Sequence, residues 1–431
     1  MTTINLITKL PNRVIYISKL KYYDEQTAIN HVKSLGFTRH AATEGETKTI
    51  NYIQKQLDKE NVDTKVESFE WTKTSAKFRK LIFLWIFIVF MSTEILLLYP
   101  NFTWIILPLD GLFFIVLMLG GKYAFDHSRI IFIGKKNESK NVIATIQAKD
   151  LYPKRPVIIF SAHHDSVSTN FPYKMMKILL LSVVFLFLSS LLINLVLSIW
   201  SIVALFTAIQ IDIIYLWIRN ISLIIGIILL TEIFIIFIRK KTNESLGSID
   251  NASGVAILLE LAKLIKKNPL EKTDVIFLWC GAEEMGSWGS KQYCSKHVEE
   301  LDNDYDLNKS YNINIDMVGT YIGLIDETGL IKKKKLNENL NDVLKASVTH
   351  QTIISENPKM ALGAGSDHLI FRAFTKKAEK KGFQISCFIS NKDSKYIHSK
   401  KDTPELCSAE NLNGCIDICY NAIKSLDLRV E

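Results

Sequence analysis

Two blocks of almost unbroken apolar sequence interrupt a chain whose other segments mix apolar and polar positions with ordinary periods. The first block holds two runs, residues 81–99 and 102–120, parted by Pro100-Asn101; the second covers residues 178–238. A helix needs about 20 apolar residues to cross the ~30 Å of hydrocarbon in a bilayer, so the first block predicts a transmembrane hairpin. The second is cut into two crossings, at 178–203 and 216–238, with the turn between Trp200 and Asn220. Away from these blocks, residues 24–60 read as helix with a break near Gly36, residues 64–71 alternate as a strand, and strands are expected at 129–133, 141–147 and 156–162. Beyond Arg239, helices at 251–267, 286–297, 336–350, 367–381 and 409–425 alternate with strands at 274–280, 312–318 and 383–389. Residues 1–20 show no clear period and stay unassigned. This order predicts a three-layer α/β/α domain on a central mixed, mostly parallel sheet, with two transmembrane helical hairpins inserted. The domain is then assembled from residues 1–80, 121–177 and 239–431, with the hairpins at 81–120 and 178–238.

Composition sharpens the membrane assignment. The chain has 431 residues, 48% hydrophobic and 22% charged, so its apolar residues must be concentrated in a few places. A net charge of +8 raises the question of nucleic acid, but no basic face interleaved with aromatics is present, and none is expected to bind. Much of the excess instead flanks the apolar runs: Lys77, Arg79, Lys80, Lys122, Lys174, Lys177, Arg239, Lys240 and Lys241, with Arg219 the one candidate at a hairpin tip. By the positive-inside rule, the expectation is a multi-pass protein with its polar domain on the cytoplasmic side. Glu94 and Asp110 fall inside the first block, where acids face a helix partner or water, or lie near a helix end. The six cysteines form no Cys-x-x-Cys pair and read as buried thiols, Cys415 and Cys419 one helical turn apart. The N-terminus has no apolar core followed by a small-residue cleavage site, so no signal peptide is expected. The lysines at 332–335 read as a solvated loop.

The candidate chemistry sits at five strand ends or loops. The run Ser161-Ala162-His163-His164-Asp165-Ser166 ends a buried strand in His-x-Asp, where one imidazole can ligate a metal and the acid can fix its other nitrogen. Asp250, in Ser248-Ile249-Asp250-Asn251-Ala252-Ser253-Gly254, stands at a strand-to-helix turn; alone it reads as a helix N-cap, but a carboxylate there can offer one oxygen to each of two cations. Glu283 and Glu284 follow the core strand Val275-Ile276-Phe277-Leu278-Trp279, and adjacent carboxylates repel unless a cation lies between them or one serves as a base. Asp316 leaves another apolar strand in Asn314-Ile315-Asp316-Met317, and His398 lies in His398-Ser399-Lys400-Lys401-Asp402-Thr403. Two histidines and several carboxylates at successive strand ends are the hard N/O donor set of a paired divalent site. In open α/β sheets such groups gather at the carboxyl ends of strands. Because these motifs flank the second apolar block, the chain must return to the side it left, which makes the crossings even in number.

The ordered set closely resembles the co-catalytic di-zinc exopeptidases of the bacterial leucyl aminopeptidase type, relatives of glutamate carboxypeptidase and glutaminyl cyclase. The resemblance covers residues 22–80, 125–175 and 243–431, and Ser366-Asp367-His368 resembles the loop beside that family's substrate pocket. It implies two zinc ions, or other divalent metals: His163 and Asp316 on one, Glu284 and His398 on the other, Asp250 bridging. It further implies that Asp165 orients His163, that Glu283 is the general base toward a bridging water, and that a strained cis peptide follows Asp250. The substrate implied is a peptide, and the activity is removal of its N-terminal residues. The long insertion between Asp165 and Asp250 departs from compact relatives, and it suggests membrane hairpins grafted into loops of an intact domain near the bilayer. No separate apical or dimerisation domain is visible, which favours the aminopeptidase branch over carboxypeptidases, and the complete ligand set disfavours cyclase chemistry. A non-catalytic membrane receptor or scaffold on this fold would be expected to have lost ligands. A transporter, suggested by Glu94, Asp110, Arg219 and Glu232, lacks the expected pair of interrupted helices.

Overall fold

The computed structural model describes residues 5–10, 13–18, 26–124, 130–207, 212–329, 332–357 and 365–430. In chain order the elements are β1 (Asn5–Leu10), β2 (Arg13–Ser18), α1 (Thr27–Ser34), α2 (Glu44–Asp58), β3 (Thr64–Thr72), α3 (Thr74–Leu97), α4 (Ile106–Ala124), β4 (Lys136–Ile146) and β5 (Val157–His163). There follow β6 (Ser168–Thr169), α5 (Tyr173–Phe206), α6 (Ile213–Phe237), β7 (Lys241–Thr242), α7 (Ser253–Lys267), β8 (Asp274–Cys280), α8 (Trp288–Asp304), β9 (Tyr311–Ile315) and β10 (Ile322–Ile325). The chain closes with β11 (Glu327–Thr328), β12 (Lys334–Lys335), α9 (Glu338–Ala346), β13 (Ile353–Glu356), α10 (Asp367–Lys377), β14 (Gln384–Phe388) and α11 (Ala409–Asp427). These group into two compact units, one of residues 1–72, 127–169 and 241–431, the other of residues 73–126 and 170–240.

The first unit is built on an eight-stranded mixed sheet ordered β13-β10-β14-β9-β5-β8-β4-β3. Its centre, β14-β9-β5-β8, is parallel, and β4 and β3 continue it antiparallel. β5 and β8 are buried along their whole length, as parallel strands covered on both faces must be, and both read as apolar runs. Register is what assembles the site. His163 stands opposite Cys280 on β8, and Ser161 opposite Asn314 on β9, so Asp316 comes level with His163 and the acid pair follows just beyond Cys280. Arg155 grips Asp274 with two parallel bonds of 2.7 Å, Nε to Oδ1 and Nη2 to Oδ2, pinning the start of β8 beside that of β5.

Several expected elements move. The helix expected over 24–60 does break near Gly36, but the interruption is wider than one point: α1 and α2 are joined by a nonhelical stretch at residues 35–43, and Asp24 and Glu25 lie outside the described residues. No strand forms at residues 130–133, and Arg129 lies outside the described residues. Ile130 packs on the cluster around Trp71 and Trp288, and Phe132 stacks on Trp288 at 5.2 Å, so side-chain contacts rather than a ladder hold this stretch. Within the stretch expected as a solvated loop, the exposed Lys334 and Lys335 pair antiparallel with the half-buried Glu327 and Thr328. The strands β10 and β13 were not anticipated: each has four residues, too short for a period to show.

On the edge strand β3, Glu67 is buried to 8% exposure between two ammonium groups and an imidazole, with His297 Nε2 at 2.9 Å, Lys65 Nζ at 2.8 Å and Lys296 Nζ at 3.1 Å. Burial works to raise its pKa, but the bonds from Lys65, His297 and Lys296 outweigh it and bring it down to about 2. A carboxyl whose folded pKa is depressed stabilises the fold above its unfolded value, near 4.3, and that contribution is lost as the pH falls through about 2. Metal-free Glu67→Gln is therefore expected to melt below the metal-free parent at pH 7, with the gap closing between pH 4.5 and 2 in a melting series.

The second unit is organised inside out. α3, α5 and α6 each have the length and apolar composition to cross a membrane, and the shorter apolar stretch Pro100–Val116 runs into α4. α5 ends at Phe206 and α6 begins at Ile213, inside the window expected for the connection, and Asp212 caps α6 by accepting the amides of Ile214 and Tyr215. Outward faces carry large apolar side chains such as Ile88, Phe185, Leu192 and Ile224, whereas polar groups turn inward. Ser222 Oγ bonds Asn194 Oδ1 at 2.9 Å and Tyr215 Oη bonds Thr103 Oγ1 at 2.8 Å. Glu94 packs against Gly226, where a Cβ would lie on its carboxylate.

Candidate metal centre

The expected ligands converge beyond the carboxyl ends of β5, β8 and β9. His163 is the last residue of β5, Asp316 follows β9 directly, and Glu283 and Glu284 lie on the turn after β8. Asp250 comes from the distorted turn that opens α7, and His398 from the loop before α11. Two buried clusters result, His163 with Asp250 and Asp316, and Asp250 with Glu284 and His398. His163 Nε2 lies 3.0 Å from Asp250 Oδ1 and 3.3 Å from Asp316 Oδ1, while His398 Nε2 lies 3.2 Å from Asp250 Oδ2 and 3.0 Å from Glu284 Oε1. Each Asp250 oxygen thus faces a different imidazole. Four of the five side chains are less than 10% exposed and His398 is 17% exposed, so the centre opens on the His398 side.

Local backbone geometry holds these groups in place. Asp165 Oδ1 accepts the Glu283 amide at 2.9 Å and Oδ2 the Glu284 amide at 3.1 Å, so one buried carboxylate anchors both members of the acid pair. The same Oδ1 lies 3.5 Å from His163 Nδ1, which also meets the Asp165 carbonyl at 3.1 Å. Asn251 ties the bridging turn to the strand before Asp316, its Nδ2 donating to the Ile315 carbonyl at 2.8 Å and its Oδ1 accepting the Gly254 amide at 2.9 Å. Gly254 is required there: a Cβ would come within 2.5 Å of both Asn251 Oδ1 and the Ile315 carbonyl. The peptide between Asp250 and Asn251 is cis. Met317 and His398, at or beside candidate ligands, and Ala282, just before the acid pair, adopt positive φ (72°, 53° and 52°), in a region that costs a non-glycine residue about 1–2 kcal/mol.

The electrostatics call for positive charge. Burial opposes protonation of His398, but the charge of Glu284 and the bonds to Asp250 and Glu284 outweigh it and lift its pKa to about 10. Burial likewise opposes protonation of His163, yet the bonds to Asp165, Asp250 and Asp316 raise it well above its usual value. Burial would raise Asp165, but its bond to His163 and the charges of His163 and His164 bring it lower than usual. Glu283 goes the other way: burial, then repulsion from Glu284, push it well above the carboxylate range, against the pull of His163. Ser287 Oγ donates to Glu283 Oε1 at 3.1 Å.

The donor set fits divalent metal. Ligand atoms bonded at 2.0–2.2 Å to a tetrahedral zinc stand about 3.3–3.6 Å apart, close to the separations within each cluster. Carboxylates packed this closely around two imidazoles are otherwise mutually repulsive.

Comparison with known proteins places these residues in a family context. Residues 236–423 match peptidase family M28. The resemblance to zinc exopeptidases read from the five motifs therefore holds. A stretch of 189 residues, 41% of this chain, is 30% identical to Aminopeptidase YwaD of Bacillus subtilis strain 168; it spans only 38% of that protein's length. Among solved structures, the aminopeptidase from Aneurinibacillus sp. strain AM-1 superposes with a TM-score of 0.52 at 16% identity, covering 93% of both chains. BSAP, a zinc aminopeptidase from Bacillus subtilis, gives 0.51 at 14% identity over 94% of this chain and 96% of its own. An Acidobacteriales bacterium glutaminyl cyclase also gives 0.51 at 14% identity, over 98% and 99%. At such identities the likeness is one of fold, and the predicted sheet with flanking helices is that fold.

Three residues bonded to the segments that carry the candidate ligands escaped sequence reasoning. Arg39 sits in the break between α1 and α2, where no period marks it; Asp402 and Asn251 were inside recognised motifs but had no role assigned. A charged residue in a helix break was the only available signal for Arg39.

Proposed function

We propose that this protein is a membrane-anchored, zinc-dependent aminopeptidase that removes N-terminal residues from peptides. The observation that carries the reading is Asp250, one oxygen facing His163 and the other His398 across two buried donor clusters. His163 and Asp316 would hold one zinc, Glu284 and His398 the second, with Asp250 shared. Bound there, the metals supply Lewis acidity toward a peptide carbonyl and a water. Glu283 stands beside a ligand without belonging to either cluster, and its raised proton affinity suits a base that takes the proton of the attacking water and delivers it to the departing amine. Ser287 fixes Glu283 Oε1 and leaves Oε2 for that proton. Asp165 keeps Glu283 and Glu284 in fixed relation through their amides and helps to set the ring of His163. The apolar helices α3, α5 and α6 would anchor the chain in a lipid bilayer, and the lysines and arginines at the ends of the apolar runs support a cytoplasmic side for the catalytic domain.

The test uses the full chain purified in detergent: metal content by elemental analysis, and release of a chromogenic amine from neutral aminoacyl substrates. Two metals per chain with chelator-sensitive release is the expected result. Metal bound with no release, but with cyclisation of N-terminal glutamine, would move the protein to cyclase chemistry. Absence of bound metal would leave a receptor or scaffold.

A further inference from the structure

The interior of the first unit contains an arginine with no solvent contact and no carboxylate in its hydrogen-bond shell. Arg39 is 0% exposed, and its guanidinium is spent on five backbone carbonyls. Nη1 donates to Leu35, Phe37 and Leu246 at 2.6, 3.2 and 2.5 Å, Nη2 to Gly247 at 2.8 Å, and Nε to His164 at 3.0 Å. Its backbone pairs with Ser166 in both directions, the Arg39 amide donating to Ser166 Oγ at 3.0 Å and the Ser166 amide to the Arg39 carbonyl at 3.1 Å. Those carbonyls belong to three separate pieces of chain: the stretch just after α1, the loop that follows His163 and carries Asp165, and the turn leading to Asp250.

That turn is held from its other side as well. Asp402, also 0% exposed, accepts the amide of Ile249 at 2.7 Å through Oδ1 and that of Asp250 at 3.2 Å through Oδ2. Residues 246–250 are thus gripped by their carbonyls from Arg39 and by their amides from Asp402. Gly247 completes the arrangement with φ +59°, where a Cβ would press to 2.4 Å from Ser166 Cβ and 3.0 Å from Arg39 Nη2. Burying an uncompensated cation is costly, and carbonyl dipoles alone are a poor substitute for an ion pair. Burial dominates and lowers the pKa of Arg39 to about 10, while the charges of Asp402, Asp165 and Asp250 offset part of that cost at longer range.

We propose that Arg39 is a positioning residue for the metal centre: by bonding the His164, Leu246 and Gly247 carbonyls together, it sets the spacing of Asp250 from His163 and thereby the affinity for metal. This rests on the reading of the centre as a zinc site. Only the guanidinium suits the task, since its planar fork presents five donors in fixed directions, whereas the lysine ammonium is a single point with three.

The experiment titrates zinc into the metal-free full chain in detergent against a chromophoric chelator, for the parent and Arg39→Lys, with metal-free melting followed in parallel. Arg39→Lys is expected to weaken zinc about 10–100-fold, as loss of an outer partner of a ligand does, and hydrolysis should return at excess zinc. A lower metal-free melting temperature with unchanged zinc affinity would overturn the proposal and leave Arg39 a purely structural residue. If Arg39→Lys yields no folded protein, Ser166→Ala, which removes the hydroxyl that accepts the Arg39 amide and donates to the Ser245 carbonyl at 3.4 Å, is read in the same way: severalfold weaker zinc supports the proposal and an unchanged constant overturns it. A parent chain that takes up no zinc overturns the reading of the centre, and the role of Arg39 with it.

Discussion

Glu283→Gln is expected to lower peptide hydrolysis by about 10²–10⁴-fold while both metals stay bound. The substitution keeps the shape of the side chain and leaves its oxygen to accept from Ser287, but the amide cannot take a proton. The five expected ligands are untouched, and the anchoring of residues 283 and 284 by Asp165 runs through backbone amides that the change does not alter. Burial and the neighbouring Glu284 are what raise Glu283 above the carboxylate range, and a base with higher proton affinity is better matched to accepting a proton near neutral pH. The measurement is kcat/KM on aminoacyl substrates together with metal content. Hydrolysis within a few-fold of the parent would remove Glu283 from the mechanism. A loss accompanied by departure of metal would make it a structural neighbour of the ligands rather than the base.

What could be read from the sequence divides along a physical line. Segments whose identity depends on a repeated local pattern came out well: β8 was placed residue for residue, α11 within two residues, and β3 within one, because each has a long apolar or alternating run. The ligands were legible for a related reason. His163 ends a buried strand, Asp316 follows one directly, and the acid pair comes just past Gly281-Ala282 beyond another, so a polar residue at each place breaks an apolar run. Boundaries failed where tertiary contacts decide. Residues 130–133 look like a strand but find no ladder partner, and Phe132 spends its surface on Trp288 instead. Arg39 was invisible because its partners are carbonyls, which every residue has, drawn from positions 35 to 247. Likewise the second task of Asp165, holding the acid pair through its amides, depends on the register of β5 against β8, which only the fold provides.

Asp250→Ala is expected to strip both metals, whereas Asp316→Ala and Glu284→Ala should each weaken chiefly one. The asymmetry follows from the shared carboxylate: Asp250 alone belongs to both clusters, one oxygen 3.0 Å from His163 Nε2 and the other 3.2 Å from His398 Nε2. Metal Lewis acidity is worth several kcal/mol of transition-state stabilisation, so losing both ions should cost on the order of 10³-fold or more in kcat/KM. Excess zinc should restore little of it, in contrast to Arg39→Lys, because here a donor is missing rather than misplaced. Asp250→Asn separates the two contributions a carboxylate makes. The amide keeps one oxygen donor and the bulk of the side chain, so a chain that retains a single metal after this change would show that one oxygen suffices for one cluster. Metal counting by elemental analysis on the four variants, at a fixed free-zinc concentration, distinguishes these cases. If Asp250→Ala still binds two metals, the carboxylate is not a bridge. The facing distances at Asp250 would then describe hydrogen bonds to protonated imidazoles and nothing more.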